Sequence, residues 1–274
     1  MPVVVHPTAV IEDGAELGTG VRVGPFCHVG SRVRLGDEVE LISHVSVSGV
    51  TEIGARTRVF PHAALGGAPQ DLKNRASDTR LVIGADCQLR EGFTAHVGTD
   101  HGGGLTSIGN GCFLMANSHV AHDCKIGNGV IMANGTVMGG HCEIGDHVVI
   151  SGLVAIHQFV RVGRGAMLGG GARVAGDVIP YGMAQGDRAR LRGLNVVGLK
   201  RSGANRQDLL ALRAAYKMLF DRARPLSENV DAVRARHGDN PRVSEILDFL
   251  TNRGKRIFCV PGVSDAGGGE EAQA

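Results

Sequence analysis

Tryptophan is absent from this chain of 274 residues and tyrosine occurs twice, so aromatic side chains make up only 4% of it. Single-stranded nucleic acid held without sequence preference needs aromatic platforms for its bases. A formal net charge of +2 leaves no electrostatic footprint for a phosphate backbone either. Nucleic acid is therefore excluded as a partner. No run approaches the roughly 20 apolar residues of a membrane span, and no basic segment leads into an apolar one at the amino terminus. The expectation is a soluble, cytoplasmic protein.

What the chain has is glycine, 42 residues of it, and an apolar beat with a period of six. Counting by sixes from Val5 reaches Ile11, Leu17, Val23, Val29, Leu35, Leu41, Val47, Ile53, Val59 and Leu65 without meeting a polar residue. The beat resumes in phase at Ile83, Leu89 and Ala95, shifts by one residue, and then runs from Ile108 through Leu114, Val120 and Ile126 to Val174. Neither the 3.6 period of a helix nor the 2.0 period of a strand produces this. A hexapeptide β-helix does, with three hexads to a coil and the sixth residue pointing inward. The slot two places earlier should also face inward. It holds small or β-branched residues, among them Val21, Val33, Val45, Thr51, Thr57 and Ser118. Five of the six cysteines (Cys27, Cys87, Cys112, Cys124, Cys142) occupy that slot, which reads as buried, reduced thiols and not as a disulfide or zinc framework. Gly18, Gly24, Gly36, Gly54, Gly127, Gly145 and Gly163 follow aliphatics, where a tight corner is expected to need a permissive backbone.

Near residue 180 the text changes to Leu, Ala and Arg at helical spacing. The expected organisation is a β-helix over 1–180 with loop insertions at 66–82 and 96–107, a linker and helical domain over 181–266, and a disordered tail over 267–274. Asn205 should cap a helix with Leu209, Leu212, Tyr216 and Leu219 on one stripe. Ser227 should cap a second helix toward His237, and Asn240 with Pro241 should open a third that Gly254 closes.

A β-helix buries its beat, so its chemistry must come from corners, outward faces and interruptions. The insertions carry Asp71 and Lys73, and then Thr99-Asp100-His101-Gly102-Gly103-Gly104. His119 and His122 flank Val120, with Asp123 next; one coil, or 18 residues, carries His122 onto Gly140 and Asp123 onto His141, and a further coil reaches Gln158 beside His157. Two chemistries fit this column. His122 could act as a general base, oriented by Asp123, with the Gly140 N–H as an oxyanion donor. Alternatively, three imidazoles could converge on a metal and activate water.

The segments Gln70-Asp71-Leu72-Lys73, Gly102-Gly103-Gly104-Leu105-Thr106, His119-Val120-Ala121-His122-Asp123-Cys124, His157-Gln158-Phe159, Ala184-Gln185-Gly186-Asp187 and Asn195-Val196-Val197-Gly198-Leu199-Lys200-Arg201 occur in this order. Together they resemble the acyl-[acyl-carrier-protein]–UDP-N-acetylglucosamine O-acyltransferases of lipid A biosynthesis, over almost the whole chain. The resemblance implies a left-handed β-helix that forms a homotrimer with clefts between subunits. It implies transfer of an (R)-3-hydroxyacyl chain from acyl carrier protein to the glucosamine 3-hydroxyl of UDP-N-acetylglucosamine, with no cofactor and no metal. By position it implies His122 as base, Asp123 as its partner and Gly140 as oxyanion donor. Asp71, Lys73, His119, His141, His157, Gln158, Asn195 and Arg201 would line the substrate sites, and Gly170 would act as a ruler for acyl length.

Two departures stand out. Ser202 and Ala204 follow Arg201 where the family commonly continues with arginine and phenylalanine, and Pro69 precedes Gln70. Among other readings, the N-acyltransferase of the same pathway carries an extra amino-terminal domain for which a beat starting at Val5 leaves no room. A metal-dependent lyase of the gamma carbonic anhydrase kind and a non-catalytic scaffold are the readings from other classes.

Overall fold

Most hexads fold into a two-residue strand and a corner, and the strands among the described residues align in three sheets of 11, 9 and 8 members. The structure, a computed structural model, describes residues 2–75, 78–252 and 256–262. Within the first sheet Arg22 pairs with Glu40 and Glu40 with Arg58. The ladder then passes from Arg58 to Gln88 across the first insertion and from Gln88 to Phe113 across the second. Both insertions therefore bulge from a corner without breaking the stack.

The beat fills the interior. Leu41, Val59, Leu89, Leu114, Met132, Ile150 and Leu168 stack in successive coils and are at most 1% exposed. The first coil is the exception: Val3, Val4 and Val5 are exposed, since among the described residues they are covered by a coil on one side only. All five cysteines of the inward slot are buried and free, and their thiols donate to carbonyls of the neighbouring coil, as Cys142 Sγ does to His157 O at 3.2 Å.

The glycines after the aliphatics serve a purpose other than the expected one. None of them has a φ in the left-handed region; that conformation falls on Phe26, His44, Asp123, His141, Phe159 and other residues nearer the corner apex. What these glycines supply is clearance between coils. A β-carbon on Gly127 would lie 2.6 Å from the Asp146 amide nitrogen, and one on Gly36 2.8 Å from that of Ala55.

The compositional break near residue 180 is not the end of the sheet, since Met183 and Ala184 pair with Met167 and Leu168 before the chain turns back as an antiparallel strand over Arg190–Leu194. Among the described residues four helices follow: α1 (Val196–Arg201), α2 (Arg206–Leu219), α3 (Leu226–His237) and α4 (Pro241–Thr251). Asn205 and Asp208 form a reciprocal capping box on α2, and Asn240 caps α4 with Pro241 in its first turn. Ser227 caps nothing, because Pro225 already fixes the backbone at the start of α3 and places Ser227 inside the first turn. Helix α4 has ended at Thr251, with Asn252 as its cap; Gly254 and the tail over 267–274 lie outside the described residues.

The helices are tied to the β-helix through Arg161. Its guanidinium meets Asp177, which is fully buried, at 2.8 Å and donates to the carbonyl of Asn252 at 2.9 Å. Removing one partner of a buried pair leaves the other charge uncompensated. Asp177→Ala is therefore expected to cost about 3 kcal/mol, read as a lower urea midpoint.

Candidate active site

The strand His119–Val120 belongs to the second sheet, and the chain then turns the corner toward the third through Ala121, His122 and Asp123. Asp123 takes a φ of 59° there, which swings its carboxylate back under the turn. That carboxylate is 1% exposed and accepts a bond of 2.8 Å from His122 Nδ1. The second insertion supplies the remaining donors: the Thr99 amide at 3.0 Å to Oδ1 and the Thr99 hydroxyl at 2.6 Å to Oδ2. The Asp123 amide in turn donates to Thr106 Oγ1 at 2.8 Å.

Burial by itself would raise the Asp123 carboxyl, but the Thr99 and His122 bonds outweigh it and hold the group below the usual carboxylate range. An ionised carboxylate only accepts. The proton between the two side chains is thus on His122 Nδ1, and Nε2 is the ring nitrogen directed away from Asp123.

One coil further on, Gly140 sits against the His122 ring. A β-carbon there would lie 2.7 Å from Nε2, so this register accepts glycine alone. The Gly140 amide donates to no group among the described residues, which leaves a donor beside the reactive nitrogen. His141 follows, edge-on to His122 at 5.1 Å and with Nε2 3.8 Å from Asp123 Oδ2. Burial lowers the His141 imidazole below its ordinary value.

The insertions close over this corner. His101 bonds Asp71 at 3.1 Å and Asp100 at 2.9 Å, which joins the two loops. The Asp100 bond, with Asp71 adding to it, raises the His101 imidazole. The Lys73 amide donates to Asp71 at 2.9 Å, and its side chain is exposed. His119 bonds Thr94 Oγ1 at 2.7 Å, while burial, with His96 and His122 nearby, lowers it to about 4 and keeps it neutral.

The three imidazoles do not converge. His157 turns to the Gln158 carbonyl at 3.1 Å, and the ring above His141 is Phe159, stacked at 4.3 Å. Among the described residues the one group of three whose metal-ligand atoms all lie within 4.8 Å of one another is His122, Asp123 and His141. Asp123 Oδ2 already accepts from His122 and from the Thr99 hydroxyl and amide. A metal would have to displace those donors, so the arrangement fits proton transfer better than water activation on a metal.

Asn195, Arg201 and Gly170 lie elsewhere. Asn195 caps α1 through the Gly198 amide at 2.9 Å and donates to Gly165 O at 3.0 Å, at the corner between the third and first sheets. Arg201 shares a groove of about 1180 Å³ with Asn195, Tyr181 and Arg242 there. Gly170 is at the remaining corner, where a β-carbon would meet nothing closer than 3.7 Å.

Thr99, which touches Asp123 more closely than any residue the spacing picked out, escapes sequence reasoning because it sits in an insertion with no periodicity. Thr99→Val is expected to remove about 1.5–3 kcal/mol of charge-assisted bonding and lower turnover about tenfold, with Thr99→Ser restoring most of it. A depressed carboxyl adds stability above its unfolded value of about 3.9. That contribution is lost as pH falls through the lower folded value. The Thr99→Val deficit in urea midpoint should therefore be larger near pH 7 than near pH 3.

A family profile described as "Udp N-acetylglucosamine O-acyltransferase; Domain 2" matches residues 177–259, and a bacterial transferase hexapeptide profile matches residues 105–140. A protein of Mesorhizobium japonicum named acyl-[acyl-carrier-protein]–UDP-N-acetylglucosamine O-acyltransferase is 55% identical over 96% of this chain and 95% of its own length. One of the same name from Brucella ovis is 52% identical over 97% and 95%. The crystal structure of the Francisella novicida UDP-N-acetylglucosamine acyltransferase superposes with a TM-score of 0.92 at 31% identity, covering 98% of this chain and all of that one.

Proposed function

Because the chain belongs to the acyl-[acyl-carrier-protein]–UDP-N-acetylglucosamine O-acyltransferase family and has the left-handed parallel β-helix of its solved neighbours, we propose that it transfers an (R)-3-hydroxyacyl chain from acyl carrier protein to the 3-hydroxyl of UDP-N-acetylglucosamine, the first step of lipid A biosynthesis. The observation that carries the reading is the His122–Asp123 pair seated on Gly140.

The His122 Nε2 lone pair takes the proton of the sugar hydroxyl as its oxygen attacks the thioester carbonyl. Charge moving onto the carbonyl oxygen meets the Gly140 N–H, a donor that needs no reorganisation. Collapse of the tetrahedral species breaks the carbon–sulfur bond, and the proton held on Nε2 passes to the leaving thiolate. Asp123 stabilises the imidazolium formed in between and keeps Nδ1 as the protonated nitrogen.

A homotrimer explains why the predicted substrate residues occupy different corners of one chain. Asn195 and Arg201 would serve the cleft of a neighbouring subunit, beside its His122. The outward faces support such packing: Phe113, Ile131, Val149 and Met167 form a half-buried apolar column on the first sheet, whereas Lys125, Glu143 and Arg161 line the third. Exposed Arg188, Arg190, Lys200 and Arg206 offer positive charge to an acidic carrier protein. No helix among the described residues is long and apolar enough to cross a membrane, and a cytoplasmic site agrees with six free thiols.

Purified protein incubated with UDP-N-acetylglucosamine and hydroxyacyl carrier proteins should yield the 3-O-acyl product by mass. His122→Ala should reduce the rate about 10² to 10⁴-fold while the oligomer in sizing chromatography is unchanged. Unimpaired turnover in that variant would show that another group is the base.

The acyl chain has an apolar lane available on the outward face of the second sheet, where Val137 and Ala155 are neighbours and Leu153 and Gly170 flank the far corner. The open space at Gly170 suits a long donor, on the order of fourteen carbons, each buried methylene contributing about 0.8 kcal/mol. Gly170→Met should shift the preference toward shorter donors in a competition assay. An unchanged length profile would remove the ruler role from this position.

A further inference from the structure

The catalytic corner continues upward as a column. Asp123, His141 and Phe159 repeat at one position of successive coils, with φ values of 59°, 61° and 64°. The His141 and Phe159 rings lie parallel within 4°. The next coil is shorter, with Val178 pairing with Val162, so Asp177 lies over Arg161, fully buried and bonded to its guanidinium, and not over Phe159. The repeat thus supplies no outward side chain above Phe159.

Arg256 takes that place, with its guanidinium 5.2 Å from the Phe159 ring centroid. It arrives from a segment beyond α4 that is bonded to the same corner. The Asp177 amide donates to Ile257 O at 2.9 Å, the Cys259 amide to Asp177 O at 2.8 Å, and Cys259 Sγ to Gly176 O at 3.5 Å. Arg256 is half-buried and makes no ion pair among the described residues, although carboxylates satisfy Arg56, Arg58, Arg161 and Arg164. A planar guanidinium held on an aromatic face, partly desolvated and without a counter-charge, is a receptor for an anion.

We propose that Arg256 is a phosphate-binding residue of the catalytic cleft. The inference rests on the function proposed above, under which both substrates carry phosphate: the nucleotide sugar as a diphosphate, the donor as the phosphodiester of its prosthetic arm. The ring contacts from His122 through His141 and Phe159 to Arg256, at 5.1, 4.3 and 5.2 Å, set the cation well beyond a single sugar ring from the base. A phosphate is the group each substrate carries at a remove from its reacting atom, and it matches the guanidinium fork in two parallel bonds.

The test uses the full-length protein, the variants Arg256→Met and Arg256→Lys, and three substrates varied separately: UDP-N-acetylglucosamine, hydroxyacyl-phosphopantetheine, and hydroxyacyl-pantetheine, which lacks the phosphate. Arg256→Met should raise one KM about tenfold or more with kcat little changed, and Arg256→Lys should recover part of the loss. A rise for the phosphopantetheine donor, with loss of the wild-type preference for it over the pantetheine donor, assigns the prosthetic arm. A rise for the nucleotide sugar assigns the diphosphate. If wild type transfers acyl groups and Arg256→Met leaves both KM values alone, or lowers only thermal stability and kcat, the residue packs Phe159 and the proposal fails while the function stands. Absence of transfer by the wild type overturns both.

Discussion

Backbone hydrogen bonding between successive coils is the constraint on which the rest of this structure depends. Each strand donates to the coil above it, and the corners are stitched the other way, as where the His141 amide donates to His122 O at 3.0 Å and the Phe159 amide to Gly140 O at 2.9 Å. Residues one coil apart are thereby held about 4.8 Å from each other, so a ring at a corner must either stack on the side chain of the next coil or find a glycine there. At the catalytic corner both solutions are used. Gly140 gives way to the His122 ring, and His141 stacks on Phe159.

A repeat with one inward and one outward face per strand cannot surround a charged group. The insertions do that. Thr99 and the glycines beside it lie so close to Asp123 that a β-carbon on Gly102 would collide with the carboxylate and lie 2.6 Å from His141 Cε1. The result is a buried carboxylate that stays ionised because the Thr99 amide, the Thr99 hydroxyl and an imidazole face it, and an imidazole whose tautomer is dictated by that charge. The solenoid supplies position, and the loops supply electrostatics.

Much of this was legible in the chain. The six-residue beat implied stacked coils, and a step of 18 residues brought His122 onto Gly140 and Asp123 onto His141. The inward slot accounted for five cysteines. Other readings failed for identifiable reasons. Gly36 and Gly127 looked like corner residues but are spacers between coils, a distinction that depends on neighbours distant in sequence. The 18-residue step also reached Gln158 with His157 beside it, but it could not show that the ring stacked on His141 is Phe159 while His157 turns to the Gln158 carbonyl.

The sequence by itself determined the coil, its period, the inward faces and the register that stacks the base on a glycine, since all of these follow from a local hydrophobic pattern repeated at fixed spacing. Only the tertiary structure decided which donors meet Asp123, how the two loops join through His101 and Asp71, and that a segment returning after α4 sets Arg256 over Phe159. Those contacts join segments with no common period, so the path of an aperiodic loop, fixed by packing and by the need to satisfy buried polar groups, had to be seen before they could be stated.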